Sequence, residues 1–214
     1  MPHALWTGRS ATPHEAAADL GGALARELGL DRAPDVRVLP ADTTGSPAGS
    51  LLPPRERYSG MPAPTDAYLY VDAARPRPFE LRAALLRGRT LRGRTLGLGS
   101  LLYAVPLHAK VATQVALTGG GAAGPQRFAG DPTAAARLNA DADLATRARA
   151  VASTRAGTDA RHTWEVDGLL AVEPAPSGAV LLARTLYRAT SPRWDPRAVA
   201  VLDLAARIET LLAP

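Results

Sequence analysis

The chain has 214 residues, 46% hydrophobic and 21% charged, with no cysteine, which excludes fibrous and fully disordered classes, disulfide scaffolds, cysteine nucleophiles and thiolate metal sites. Its 25 Lys+Arg against 20 Asp+Glu leave a formal net charge of +5. Without cysteine, and with no basic start followed by an apolar run, the chain reads as cytoplasmic.

Thr12-Pro13, with Glu15 three residues after the threonine, is a capping-box entry into a helix. Ala16, Leu20, Leu24 and Leu28 keep one face apolar as far as Gly29, which predicts a helix over 13–28. A strand is expected at 35–39. Residues 40–66 then carry six prolines, Pro40, Pro47, Pro53, Pro54, Pro62 and Pro64, so they form a long irregular connection. Such a connection is either a lid or partner-binding segment around Tyr58 and Met61, or an ordered wrap over the surface. A strand at 67–72 places Tyr68, Tyr70 and Asp72 on one face, where sheet packing competes with an aromatic ligand wall.

Positive charge is concentrated in the next quarter of the chain. Between 75 and 127 nine basic residues meet one acid, Glu80, a net +8 against −3 for the rest of the chain. Seven of those arginines lie in 75–94, where Leu-Arg-Gly-Arg-Thr stands at 86–90 and again at 91–95. In an extended chain Arg87 and Arg89 point to one face and Arg92 and Arg94 to the other, unless Gly88 and Gly93 mark a turn or bulge that lets them converge. Guanidiniums fork onto phosphate and carboxylate oxygens. Arg75, Arg77, Arg87, Arg89, Arg92 and Arg94 are therefore the candidate anion-binding set, with nucleic acid as first partner and an acidic lipid or protein surface second. The plainer alternative is a solvated basic hairpin, because 24 of the 25 basic residues are arginine, as a coding bias would produce, and Phe79 alone is at hand to stack on bases.

Residues 95–126 hold Lys110 as their only formal charge, but Pro106, His108, Lys110 and Gln114 break the apolar run well short of the roughly 20 residues of a spanning helix. No transmembrane segment is expected. Val105, Leu107, Ala109, Val111, Val115 and Leu117 alternate with His108, Lys110 and Gln114, which predicts one strand over 105–117 with a wet face. His108 and Lys110, with Tyr70, are candidate lining for a small-ligand or catalytic pocket; the alternative is the solvent face of a half-buried strand.

Gly119, Gly121 and Gly124 match G-x-G-x-x-G, but Pro125 and Gly130 follow where a phosphate-binding helix would have to start, so 119–130 reads as a Gly-rich loop. Asp131-Pro132 opens a thinly amphipathic helix over 132–153. Strands are expected at 164–173 and 179–188 around a hairpin loop at 174–178, then a helix over 196–212 entered through Asp195-Pro196. Trp164, Trp194 and Tyr187 are assigned to the core, with Trp194 as a staple onto the last helix.

Other chemical signatures fail on spacing. His3, His14, His108 and His162 share no helix-face pairing that suits a metal. Asn139, Asp141 and Asp143 read as solvated helix surface, since the two aspartates are two apart. Ser100 lacks a nucleophile elbow, and no P-loop occurs. The sequence thus predicts one α+β domain over 1–214, a mainly antiparallel sheet of five or six strands with helices packed on one face, and neither metal nor cofactor. Three functions compete: a non-enzymatic anion-binding accessory protein, a ligand-binding or enzymatic domain with a pocket near His108 and Lys110, and a subunit of a larger assembly.

Overall fold

The structure, a computed structural model, describes all residues except 1–3, 6–9, 43–45, 54–64, 87–89, 92–93, 96–97, 120–125, 153, 157–163, 167–168, 189–193 and 214. In chain order its elements are β1 (Ala4–Leu5), β2 (Ser10–Ala11), α1 (Pro13–Leu28), β3 (Val36–Pro40), β4 (Thr65–Ala73), β5 (Phe79–Leu86), β6 (Thr90–Leu91), β7 (Arg94–Thr95), β8 (Leu98–Leu107) and β9 (Val115–Thr118). They continue with β10 (Arg127–Gly130), α2 (Pro132–Asn139), α3 (Leu144–Ala152), β11 (Thr154–Ala156), β12 (Trp164–Val166), β13 (Leu170–Ala175), β14 (Gly178–Arg188) and α4 (Ala198–Leu212).

The fold is α+β. One antiparallel sheet has eight strands in the order β10-β9-β13-β14-β8-β5-β4-β3, and three two-stranded pairs lie outside it. Eight strands replace the expected five or six. Near the centre, β5, within the arginine-rich stretch, and residues 98–104 of β8, where Gly99 speaks against a strand, lie outside the expected strands.

Alternation along the central strands sorts side chains into two clusters. Leu69, Val71, Leu81, Ala83, Leu101, Tyr103, Val105 and Leu181 belong to the larger, which buried residues from each of the four helices join. The intervening positions Tyr70, Leu102, Ala104, Val180 and Leu182 form a smaller one with Leu52 on the sheet's other surface.

Local chemistry explains where elements start and stop. Thr12 Oγ1 accepts from the Glu15 amide (3.2 Å), the Thr12 amide donates to Glu15 (2.8 Å), and Gly29 ends α1 at φ 63°, as the capping box and the left-handed cap require. At the β13–β14 turn only glycine fits, because a Cβ on Gly178 would lie 2.4 Å from the Leu107 carbonyl.

Four expected boundaries are corrected. The predicted strand over 105–117 ends at Leu107 and resumes at Val115. Between them Asp131, from 19 and 18 residues downstream, accepts from the amides of Ala112 (2.8 Å) and Thr113 (3.3 Å), while Glu209 of α4 accepts from the His108 amide. These carboxylates satisfy amides that a strand ladder would otherwise need. The stretch 164–173 divides into β12, paired with β11, and β13 of the main sheet. The helix over 132–153 is two helices, broken where Asp141 takes the Asp143 amide (3.1 Å) and the Arg207 guanidinium (2.8 Å).

The last helix begins at Ala198, two residues later than expected, with Arg197 left-handed (φ 57°) at its cap. Its Val199 amide is satisfied from across the fold by Glu27 (3.2 Å), and Asp195 instead binds Arg197 (3.2 Å). Asn139 is not merely solvated surface: its amide binds both the amide (2.9 Å) and the carbonyl (2.8 Å) of Phe128 on edge strand β10. Trp194 is buried in the larger cluster as expected, whereas 120–125 of the Gly-rich loop lies outside the described residues.

Candidate functional site

β5 is the axis on which the predicted arginines are distributed. At about 3.3 Å per residue its eight residues span roughly 26 Å. Arg75 and Arg77 lie in the turn before it, whereas Arg87 follows Leu86, the last residue of β5, in the sequence. Arg87, Arg89 and Arg92 are outside the described residues. Arg94 is described through its backbone, which pairs with Leu91 as Thr90 pairs with Thr95.

At the other end Arg77 is engaged in holding the fold. Its Nη2 lies 2.8 Å from Glu209 Oε2 and donates to the Pro106 carbonyl (2.8 Å). Glu209 thereby ties α4 to two connections of the sheet, since it also receives the His108 amide. Arg75 is exposed beside it.

The three candidate pocket residues are not brought together. His108 and Lys110 are exposed in the connection after β8, whereas Tyr70 is buried in the smaller cluster. Tyr70 pairs with Arg82 and Arg82 with Leu102, so along β8 His108 lies six residues, about 20 Å, beyond Tyr70's level.

Tyr70 instead belongs to a polar cluster under part of the Pro-rich connection. Glu80 and Arg82, alternate residues of β5, face the same side of the sheet, and residues 46–53 lie across them. Glu80 accepts from the Ser50 hydroxyl and from the Leu51 amide (3.0 Å). Arg82 is buried and its Nη1 donates to Ser46 Oγ (2.9 Å) and to the Pro53 carbonyl (2.9 Å). The segment is internally braced by the Ser50 amide on the Pro47 carbonyl (3.2 Å) and the Leu52 amide on Ser50 Oγ (3.1 Å). For 46–53 the ordered wrap is what the structure shows; 54–64, with Tyr58 and Met61, lies outside the described residues.

The electrostatics of this cluster follow from its burial. Tyr70's phenol is pushed up to about 12, by burial first, then by the Glu80 charge and the hydrogen bond to that carboxylate. It keeps its proton at neutral pH and serves as a donor. Arg37, directly opposite Tyr70 on β3, places its guanidinium carbon 4.7 Å from the ring centre, a cation–π contact. Two strands beyond Arg82, Arg184 has its pKa lowered by burial. Farther along, Gln114 donates to the buried Glu173 (2.9 Å).

Chemically the cluster is a clamp on an irregular segment with a turn at 47–50: a carboxylate reads an amide and a hydroxyl, and a guanidinium reads a carbonyl and a hydroxyl. Its signal is present in the sequence, for Phe79, Leu81, Ala83 and Leu85 alternate with Glu80 and Arg82. Ser46 and Ser50 give no comparable sign. Among the described residues no three His, Cys, Asp or Glu side chains group as a metal site, and no helix is long and apolar enough to cross a membrane. Comparison with known proteins finds no matching family model, no matching curated protein and no matching solved structure.

Proposed function

We propose that this is a non-enzymatic binding or accessory protein that holds an anionic partner, nucleic acid first, through Arg87, Arg89, Arg92 and Arg94. One observation carries the reading: β5 and β8 are adjacent and antiparallel, so Leu86 and Leu98 stand at the same end of the sheet, and the 87–97 stretch joining them has four arginines and no acid. The backbone of Arg188 pairs with Leu98 there. Arg75 and Arg77 drop out of the set, because their end of β5 is remote and Arg77 already has Glu209. A protein of this kind would work in a reducing, cytoplasmic setting, which its lack of cysteine suits.

Arginine forks suit phosphate oxygens, and a backbone-directed contact of this kind dissolves as counterions compete. Fluorescence anisotropy of labelled duplex and single-stranded DNA and RNA, titrated across salt, tests the proposal. We expect a slope of log K on log salt that becomes shallower by up to about 3 to 4 when all four arginines are changed to alanine, close to one unit for each phosphate no longer neutralised. No binding by wild type at low salt overturns the reading.

A further inference from the structure

β3 and β4 are neighbouring antiparallel strands, a pair that two to five residues suffice to connect. Here the chain spends residues 41–64 on the connection and lays 46–53 across the far surface of β4, β5 and β8. The segment is neither strand nor helix. Charged side chains of β5 grip it by its backbone, through the Leu51 amide and the Pro53 carbonyl, and by its hydroxyls. Leu51 and Leu52 pack on the apolar cluster of Leu102, Ala104, Val180 and Leu182.

These are the features of peptide recognition. Main-chain groups of a docked segment give affinity, and side-chain pockets give selectivity. A permanent cover over a sheet is more stable when apolar, because buried charges must be desolvated. Glu80 and Arg82 regain water when the segment leaves, so a cover held by charges is one that can be exchanged. We propose that the Tyr70–Glu80–Arg82 surface is a peptide-docking groove, occupied in this structure by the chain's own residues 46–53. Its partner is a protein with a segment of the same chemistry and the same turn: a hydroxyl residue, two aliphatic residues and a proline. The observation that identifies this occupant is the segment already seated there. The inference is independent of Arg87, Arg89, Arg92 and Arg94.

The test uses the full chain and a fluorescein-labelled synthetic peptide with the sequence of residues 46–53. In a variant carrying Leu51→Ser and Leu52→Ser, which loosens the resident segment, we expect the peptide to bind at least about tenfold more tightly than to wild type. Adding Glu80→Gln and Arg82→Gln to that variant should abolish binding, and a peptide with both leucines replaced by serine should not bind. Absence of peptide binding to the loosened variant, folded by circular dichroism, overturns the proposal. Hydrogen exchange on wild type tests it without any variant: the Leu51 and Leu52 amides should exchange at least about a hundredfold faster than those of Leu81 and Ala83, whereas exchange at the same rate makes the segment a fixed part of the core and overturns it. A concentration-dependent dimer that the free peptide takes apart would assign the groove to a second copy of this chain, overturning the heterologous partner.

Discussion

The two surfaces of the sheet solve the same burial problem by different means. On one, Leu81, Leu101, Tyr103 and Leu181 meet the apolar faces of helices, and even the Tyr103 hydroxyl has a fixed acceptor, the Pro196 carbonyl at 2.6 Å. On the other, Tyr70, Glu80 and Arg82 meet a segment without regular structure, and hydrogen bonds to charged groups do much of what packing does opposite. Apolar packing is close-fitting and has no better state in water. Charged contacts retain a good alternative in water, so the second cover can be the looser without the sheet being lost.

Core truncation tests this contrast with the largest effect. Leu81→Ala, at a fully buried helix-side position, should cost about 2–5 kcal/mol in denaturant unfolding, because a cavity stays open between sheet and helices. Leu52→Ala removes a comparable side chain from the 46–53 segment, which can settle into the space, so about 2 kcal/mol of lost transfer energy is expected. Equal costs would mean that both surfaces are core in the same sense.

The same contrast governs how much of the fold is legible in the sequence. α1 is legible at both ends because Thr12, Glu15 and Gly29 act within one turn of the residues they cap. The β13–β14 hairpin is legible because its turn is local. The boundaries that fail are set from a distance: Asp131 and Glu209 interrupt 105–117, and Glu27 satisfies the Val199 amide across 172 residues of chain. Periodicity cannot register a carboxylate supplied by another element. Tyr70 stands out in the sequence, yet in the company of His108 and Lys110, because alternation along each strand says nothing of which strands are neighbours. Glu80 and Arg82 register there as charge alone, and that conceals β5 as a strand.

Acid should expose the connection after β8 next. Asp131 has its carboxyl held below the usual range, chiefly by the Ala134 amide, then by that of Ala112. A lowered folded value means stability that is present above the unfolded carboxylate value and lost as pH falls through the folded one. Asp141, lowered first by its hydrogen bond to Arg207, and Glu15, lowered by the Thr12 amide, act in the same sense. Melting temperature followed from pH 6 down to about pH 2 should therefore fall, with a shallower drop in Asp131→Asn, which also starts lower at neutral pH. An unchanged slope in that variant would remove Asp131 from the account.

Glu27 should show the opposite sign and the smallest effect. Burial raises its carboxyl, with the hydrogen bond from the Val199 amide pulling back and the Asp195 charge adding to the rise. A raised folded value means that the folded state favours the protonated acid, so this contribution is present below the unfolded value and lost as pH rises through the folded one. Glu27→Gln keeps an acceptor for Val199 and removes the charge whose desolvation opposes folding. At neutral pH the variant should lie within about 0.5 kcal/mol of wild type, while Glu27→Leu, which leaves the amide without that acceptor, should be clearly less stable. If glutamine destabilised as much as leucine, the negative charge at the start of α4 would be what matters, and attraction to the helix dipole would outweigh desolvation at this junction.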